Sequence, residues 1–193
     1  FSWQIQISKS IIHTEKALEL YEKEIKIKKI IDCKFLMGIN YNRSENYEMA
    51  ENTFLTMVDT LKSINDYETL GKVYHNLGYL YSLTNRSENA INYFQRALTT
   101  KQESDDRLSS IYLLAYEYKK QNKLELVLNL CNEGLKLSHK SNLYFYYKIY
   151  ILRQSLFGFM DEKFIIDLEN KIIPYFKEKD PSVACECYHL LAQ

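Results

Sequence analysis

A repeated spacing of small and large residues constrains the fold of this chain more than any other feature of its sequence. The clearest copy lies between residues 71 and 102 and contains Leu77, Gly78, Tyr81, Ala90 and Phe94. In a pair of antiparallel helices, Gly78 and Ala90 fall where the backbones cross, because larger side chains there would hold the helices apart. Phe94 and Tyr81 then fill the space around the crossing. The spacing therefore predicts a tightly packed helical hairpin.

Copies of this hairpin recur along the chain at nearly constant offsets. The upstream copy contains Gly38, Tyr41, Ala50 and Phe54, which precede Gly78, Tyr81, Ala90 and Phe94 by one and the same offset, and a looser downstream copy contains Leu114, Ala115, Tyr118, Val127 and Cys131. This order of residue types is typical of tetratricopeptide repeats. We expect an all-α chain of about ten helices and no strands. The helices should stack as antiparallel pairs into a right-handed superhelix with a concave inner surface.

The repeat predicts how the chain is divided. We expect a single repeat domain over 1–193, with 1–28 as the second helix of a cut repeat, complete pairs at 29–64, 65–104, 105–140 and 141–179, and the start of a further repeat at 180–193. A chain that begins and ends inside a repeat is expected to be a piece of a longer protein. Its unfinished helix faces are expected to be apolar, which favours homo-oligomers formed through the repeat ends.

Several residues are placed to begin or interrupt helices. Candidate N-caps, which accept hydrogen bonds from the first helical turn, are Asp66, Asp105 or Asp106, Ser141 or Asn142, and Asp180. Pro181 suits the first position of a helix. Pro174 has no N–H to donate and should kink or break the second helix of the pair at 141–179.

Composition excludes some classes of partner. The chain has 193 residues, and its 25 basic and 25 acidic residues cancel, so no overall field favours nucleic acid or anionic lipid. We expect no direct contact with nucleic acid, and no apolar run approaches the roughly 18 residues of a membrane span. The four cysteines follow no disulfide or zinc pattern, which favours the cytoplasm.

No catalytic pattern is present in the sequence. It contains no glycine loop for phosphate, no His-Glu-x-x-His helix and no known nucleophile–base spacing. His75 and His189 occupy equivalent places in distant repeats, which argues against a shared metal site. We therefore expect neither catalytic residues nor a metal or cofactor, and a chain that is not an enzyme.

The inner face of the first helix in each repeat is the candidate binding surface. On the clearest repeat, Lys72, His75, Asn76 and Tyr79 share one side at spacings of three and four residues. The neighbouring first helices add Asn42 and Arg43 upstream and Tyr112, Tyr116 and Lys119 downstream. Amides can pair with the backbone of an extended peptide, and aromatic rings can bury its side chains. The alternative is that these are ordinary packing or solvated positions, since 17 tyrosines and nine phenylalanines are spread over the chain.

The segment from Lys72 to Tyr81 resembles the first helix of a central repeat in the peptide-pheromone receptors of Gram-positive bacteria. This group includes Rap phosphatases and the NprR- and PlcR-type transcription regulators. The repeat period, longer than the roughly 34 residues of a minimal tetratricopeptide repeat, is also similar to that group, as are Cys33-Lys34-Phe35 and the turn from Tyr116 to Asn122. By this resemblance, Asn76 would hold the backbone of a short linear signalling peptide. Arg43 stands where the group commonly has an acidic residue, which implies a different peptide charge.

The resemblance implies a peptide-binding sensor region of a cytoplasmic quorum-sensing receptor. The leading expectation is a transcription regulator whose DNA-binding domain is not in this chain. Two alternatives stay open: the repeat region of a Rap-like response-regulator phosphatase, and a general scaffold for protein–protein interaction.

Overall fold

The described chain is helical throughout, as its repeat predicts. The computed structural model describes residues 2–23, 26–100, 104–137, 142–157 and 160–192, and it has no strand among them. The helices are α1 (Ser2–Lys23), α2 (Ile27–Arg43), α3 (Tyr47–Ser63), α4 (Tyr67–Leu83), α5 (Ser87–Thr99), α6 (Ser104–Lys120), α7 (Leu124–Lys136), α8 (Leu143–Gln154), α9 (Glu162–Asp167), α10 (Ile173–Lys179) and α11 (Pro181–Leu191). A π-helical turn, Leu168–Ile172, joins α9 to α10.

Successive helices pack against each other along the chain, and the first helices of neighbouring repeats also touch. Thus α1 packs on α2, α2 on α3 and α4 on α5, while α2, α4, α6 and α8 form a second set of neighbours. This is the contact pattern of stacked helix pairs. The predicted all-α architecture is confirmed, with α9, the π turn and α10 together forming the outer helix after α8.

Glycines determine how closely the helices of a pair approach. A Cβ on Gly78 would lie 2.7 Å from Phe94 Cδ1, and one on Gly38 would lie 2.6 Å from Phe54 Cε1. Both phenylalanines are fully buried. The small–large pairing read from the sequence is therefore a physical contact, since any side chain larger than hydrogen would push the aromatic ring away.

The same turn closes four of the helices. A residue in the left-handed region follows α2, α3, α4 and α6, with φ of 62° at Glu45, 58° at Asn65, 57° at Asn85 and 57° at Asn122. After α2, the N–H of Asn46 donates to the carbonyl of Tyr41, and after α3 the N–H of Asp66 donates to that of Leu61. These six-to-one hydrogen bonds define the Schellman motif, which satisfies the last carbonyls of a helix. Asparagine tolerates the left-handed region better than most residues.

Helix α8 separates two apolar cores. Its Ile149 and Leu152 belong to a large core that extends back to Ile31. Its Tyr144, Tyr147 and Tyr150 pack on a second core formed by Phe164, Leu168, Ile172, Ile173, Phe176, Val183, Ala184 and Cys187. A helix that is apolar on opposite sides is buried on both of them.

The structure tests the predicted helix boundaries. Asp66 caps α4, accepting from the N–H of Thr69 at 3.0 Å, and Asn142 caps α8, accepting from that of Phe145 at 3.3 Å; Ser141 lies outside the described residues. Asp180 precedes α11, but it accepts hydrogen bonds from the hydroxyls of Ser182 and Tyr144 instead of capping the helix. The expectation for Asp105 or Asp106 was wrong, because α6 already includes Ser104.

Pro174 coincides with an irregular stretch of the outer helix. The helix continues through this residue, and the π turn Leu168–Ile172 stands just before it. Because a proline nitrogen cannot donate to the carbonyl four residues back, a local change of hydrogen-bond register accommodates it without ending the helix.

Candidate functional site

The first helices of four successive repeats enclose a cavity of about 530 Å³ on the inner surface. Its lining comes from α2, α4, α6 and α8 and consists of Ile39, Asn42, Arg43, His75, Asn76, Tyr79, Tyr112, Leu113, Tyr144, Phe145 and Lys148. Six of the nine predicted site residues are among them. The structure therefore brings together side chains that are far apart in the sequence, from Asn42 on α2 to Tyr112 on α6.

Asn76 lies at the middle of this surface because the packing of α4 leaves it no other direction. Val73, Tyr74 and Leu77 of the same helix are buried in the core. The Asn76 amide Nδ2 donates to the backbone carbonyl of Lys72 at 2.8 Å. This bond uses one of its donors, and Asn76 lines the cavity, so its oxygen and second N–H have the capacity to pair with a ligand.

His75 is held in place from the neighbouring repeat. Its Nδ1 lies 2.9 Å from Ser110 Oγ, and the Ser110 hydroxyl donates to the carbonyl of Asp106. Since that hydroxyl proton is used, His75 donates from Nδ1 and leaves Nε2 as an acceptor. Burial lowers the pKa of His75 to about 4, so the ring is neutral at physiological pH. His75 therefore offers a polar but uncharged edge to the groove.

Asn42 carries an unsatisfied polar atom at the groove. The residue is 9% exposed, and its Oδ1 is buried with no hydrogen-bond partner among the described residues. An orphaned buried acceptor costs about 1–3 kcal/mol; because this oxygen has almost no accessible surface, the Asn42 carboxamide must rotate before a ligand N–H can pair with it. The adjacent Arg43 is exposed and lines the same cavity. Asn42 and Asn76 thus place two carboxamides on neighbouring helices.

A second cavity, of about 470 Å³, continues the groove toward the C-terminus. It lies between α6, α8 and α11 and is lined by Tyr112, Tyr116, Lys119, Lys148, Ile151, Leu152, Ser155, Ser182, Val183, Cys185, Glu186, His189 and Leu190. Tyr112 and Lys148 line both cavities, so the two form one continuous groove. The predicted residues Tyr116 and Lys119 belong to this second part.

Aromatic rings form much of the boundary between the two cavities. The Tyr112 ring centroid lies 5.9 Å from that of Phe145 and 6.3 Å from that of Tyr116. Burial, reinforced by Glu186, raises the pKa of Tyr112 to about 12, and burial with a hydrogen bond to Asp180 also raises the pKa of Tyr144. Both phenols therefore stay protonated; the Tyr144 hydroxyl donates to Asp180, and that of Tyr112 can donate to a ligand.

One predicted residue lies apart from the groove. Lys72 forms an ion pair with Glu68 at 2.9 Å and lies 4.0 Å from a carboxylate oxygen of Asp106, and it lines neither cavity. A wider open depression of about 1460 Å³ lies elsewhere, near Asp66 and Arg96, and contains none of the nine predicted residues. We take the groove as the candidate site because amide, aromatic and charged groups converge there.

Sequence reasoning did not place the contributions of α8. Tyr144, Phe145 and Lys148 line the groove, but the poor match of α8 to the repeat left its inner face undefined. One signal was available in the sequence. The spacing from Tyr112 to Lys148 is nearly the same as the spacing from Leu77 to Leu114, which separates the clearest copy of the repeat from the downstream copy.

Other kinds of site find no support in the described part of the chain. No group of three or more His, Cys, Asp or Glu side chains is placed to hold a metal ion there. Cys131 is fully buried, and burial raises its pKa to about 12, as expected for an unreactive structural thiol. Over the same residues, no helix combines the length and the apolar character needed to cross a bilayer.

Comparison with known proteins identifies the architecture. A tetratricopeptide-repeat family model matches residues 30–103. The chain is 27% identical over 177 residues to the transcriptional activator NprA of Geobacillus stearothermophilus, a match that covers 86% of the chain and 43% of NprA. It is 33% identical over 94 residues to the regulatory protein RapD of Bacillus subtilis, covering 48% of the chain and 27% of RapD.

Solved structures of the quorum sensor NprR superpose on the chain. The apo form of NprR from B. thuringiensis has a TM-score of 0.73 at 23% identity over 94% of this chain and 55% of that one. NprR in complex with its cognate peptide NprX has a TM-score of 0.65 at 22% identity, over 94% and 57%. These overlaps confirm the right-handed superhelix of helix pairs, and the chain spans about half the length of NprR and less of NprA.

Sequence and structure thus agree. Residues 30–103 match the tetratricopeptide-repeat family, and the chain as a whole has the tetratricopeptide-type fold and resembles the NprA, NprR and Rap group of bacterial regulators.

Proposed function

We propose that this chain is the peptide-sensing region of a cytoplasmic quorum-sensing regulator and binds a short linear peptide along its groove. The observation that carries the proposal is the pair of carboxamides, Asn42 and Asn76, which line one cavity from adjacent helices. The NprR–NprX complex supports it, since a protein of the same fold is there bound to a peptide.

The groove offers what an extended peptide requires. Its backbone presents alternating N–H and C=O groups, and a carboxamide can donate to one and accept from the other. The Oδ1 of Asn42 is an unpaired and already desolvated acceptor, which rotation of the carboxamide would present to the peptide. Rings such as Tyr79, which is 40% exposed, and Tyr112 can cover side chains of the peptide.

The similarity to NprA favours a transcription regulator as the whole protein. The similarity to RapD supports the alternative, a response-regulator phosphatase. The natural sequence around this segment discriminates between them: a helix-turn-helix domain supports the regulator, and a helical bundle ahead of the repeats supports the phosphatase.

The test is binding of a random library of peptides of five to eight residues, followed by calorimetry on the selected peptides. We expect Asn76→Ala to weaken binding by about 5- to 150-fold, the equivalent of about 1–3 kcal/mol for a lost buried hydrogen-bond partner. The matched control is Asn92→Ala, because Asn92 is an exposed asparagine on the outer helix α5. Binding no better than millimolar, or equal effects of the two substitutions, would contradict the proposal.

A further inference from the structure

The C-terminal end of the groove differs in chemistry from its middle. Around Asn76 the cavity presents amides and a neutral imidazole, whereas the cavity between α6, α8 and α11 has apolar residues at its base: Ile151, Leu152, Val183 and Leu190. This second cavity, at about 470 Å³, has room for a large aliphatic or aromatic side chain.

Two lysines border this apolar cavity. Lys119 comes from α6 and Lys148 from α8. Lys119 Nζ donates to Ser155 Oγ at 3.2 Å, and Lys148 Nζ to the Tyr144 hydroxyl at 3.3 Å. Neither forms an ion pair with a carboxylate anywhere in the described part of the chain. Three lysines outside the groove, Lys72, Lys120 and Lys171, are each paired with an acidic side chain.

Aromatic rings fix the position of Lys148. Its ammonium lies 5.0 Å from the ring centroids of both Tyr112 and Tyr144. Cation–π contacts of this kind stabilise a cation without neutralising it. Asp180 accepts hydrogen bonds from Tyr144 and Ser182, and it attracts Lys148 from beyond the Tyr144 hydroxyl without forming an ion pair with it. The positive charge of Lys148 is thus held at the junction of the two cavities.

Among the described residues that line this cavity, the one acidic side chain is Glu186, on the opposite wall formed by α11. With Lys119 and Lys148 it leaves a net positive charge on the lining, so an anion is favoured on the side of α6 and α8. A ligand that places a carboxylate beside an apolar group matches this arrangement.

Resting on the function proposed above, we infer that this end of the groove binds the C-terminal residue of the peptide. Its free carboxylate lies between Lys119 and Lys148, and its apolar side chain fills the cavity between α6, α8 and α11. A C-terminal residue carries both groups on one Cα, so a single residue satisfies the lysines and the apolar cavity together. The peptide backbone then runs from there toward Asn76 and Asn42.

The experiment uses one random library of five- to eight-residue peptides made twice, with a free C-terminal carboxylate and with a C-terminal amide. We expect the free acids to bind at least ten-fold more tightly, with large apolar residues enriched at the last position. Lys148→Met keeps the aliphatic chain and removes the charge, so we expect this variant to bind the free acids and the amides equally. Lys177→Met is the matched control, because Lys177 also lies over a tyrosine ring, 5.4 Å from Tyr188, but outside both cavities.

The outcomes separate this inference from the proposed function. Equal binding of acids and amides leaves peptide binding established and overturns the C-terminal assignment. If N-terminal acetylation alone weakens binding, the C-terminal assignment is also overturned. The peptide would then bind in the reverse direction, with its free amine beside Glu186. Selection of internal Asp or Glu residues irrespective of the C-terminus also overturns the assignment. If no peptide binds in either form, the proposed function fails, and this inference fails with it.

Discussion

The central helices α2 to α7 and the C-terminal helices α8 to α11 pack by different means. In the central pairs α2–α3 and α4–α5, a glycine lies against a phenylalanine ring, as at Gly78 and Phe94. Between α8 and the outer helix, the contacts are instead edge-to-face ring pairs, such as Tyr150 with Phe164 at 5.1 Å and Tyr144 with Phe176 at 5.5 Å. Ring pairs tolerate centroid separations of about 4.5–7 Å. They therefore constrain helix separation less than a glycine does. The C-terminal end of the groove is consequently freer to vary in sequence than its middle.

The largest expected effect tests whether the two cores are separate units. Phe94→Ala and Phe176→Ala each remove a fully buried ring, and each should cost about 3–5 kcal/mol. We expect Phe94→Ala to destabilise the central helices and Phe176→Ala to release α9 to α11 first, because the rings lie in different cores. Urea unfolding gives the size of each loss, and amide hydrogen exchange locates it.

Tyr188→Ala is the control for these substitutions, since Tyr188 is a 47% exposed ring on α11. If both phenylalanine substitutions speed hydrogen exchange at the same amides, the two cores unfold as one cooperative unit. The division of the molecule into two separately unfolding cores is then wrong.

A smaller effect should come from the glycine contact itself. Gly78→Ala places a methyl group within 2.7 Å of Phe94 Cδ1, which should destabilise the fold by about 1–3 kcal/mol. This loss must exceed the gain of about 1 kcal/mol that alanine brings to a helix interior. In a Phe94→Leu background the loss should shrink, and the double-mutant cycle measures that coupling. A Gly78→Ala variant more stable than the parent would show that the contact does not set helix separation.

The smallest expected effect is a loss of folding stability at acidic pH. The folded-state pKa of His75, about 4, lies below the unfolded value of about 6.5, so the unfolded state binds more protons between these values. Stability should be fully present above pH 6.5 and fall as pH decreases toward 4, by about 1.4 kcal/mol per pH unit at most. Unfolding free energies at pH 7 and 5.5 measure this.

His75→Gln should remove that part of the slope, whereas His13→Gln, at an exposed position on α1, should leave it unchanged. The loss should begin in the central helices, where His75 lies. An identical slope in the His75→Gln variant would assign the acid sensitivity to other groups.

The sequence was most informative where packing depends on one residue type. Gly38 and Gly78 could be matched to Phe54 and Phe94 because no other residue fits those crossings, and the inner face around Asn76 followed from helical periodicity. Ring packing leaves no comparable signal, so the groove face of α8, including Lys148, was not predicted. The lack of a hydrogen-bond partner at Oδ1 of Asn42 could not be predicted from the sequence either, since it depends on which neighbouring atoms approach that oxygen.

The turns after α2 and α3 have a consequence for ligand length. Both are closed by the same backbone hydrogen bonds, Asn46 to Tyr41 and Asp66 to Leu61. These two turns carry the chain from α2 through α3 to α4, so local backbone geometry determines how far apart Asn42 and Asn76 stand. A peptide that pairs with both carboxamides must present its polar groups at that distance. In the proposed complex, turn residues that line neither cavity would thereby select how many peptide residues fit between the two amides.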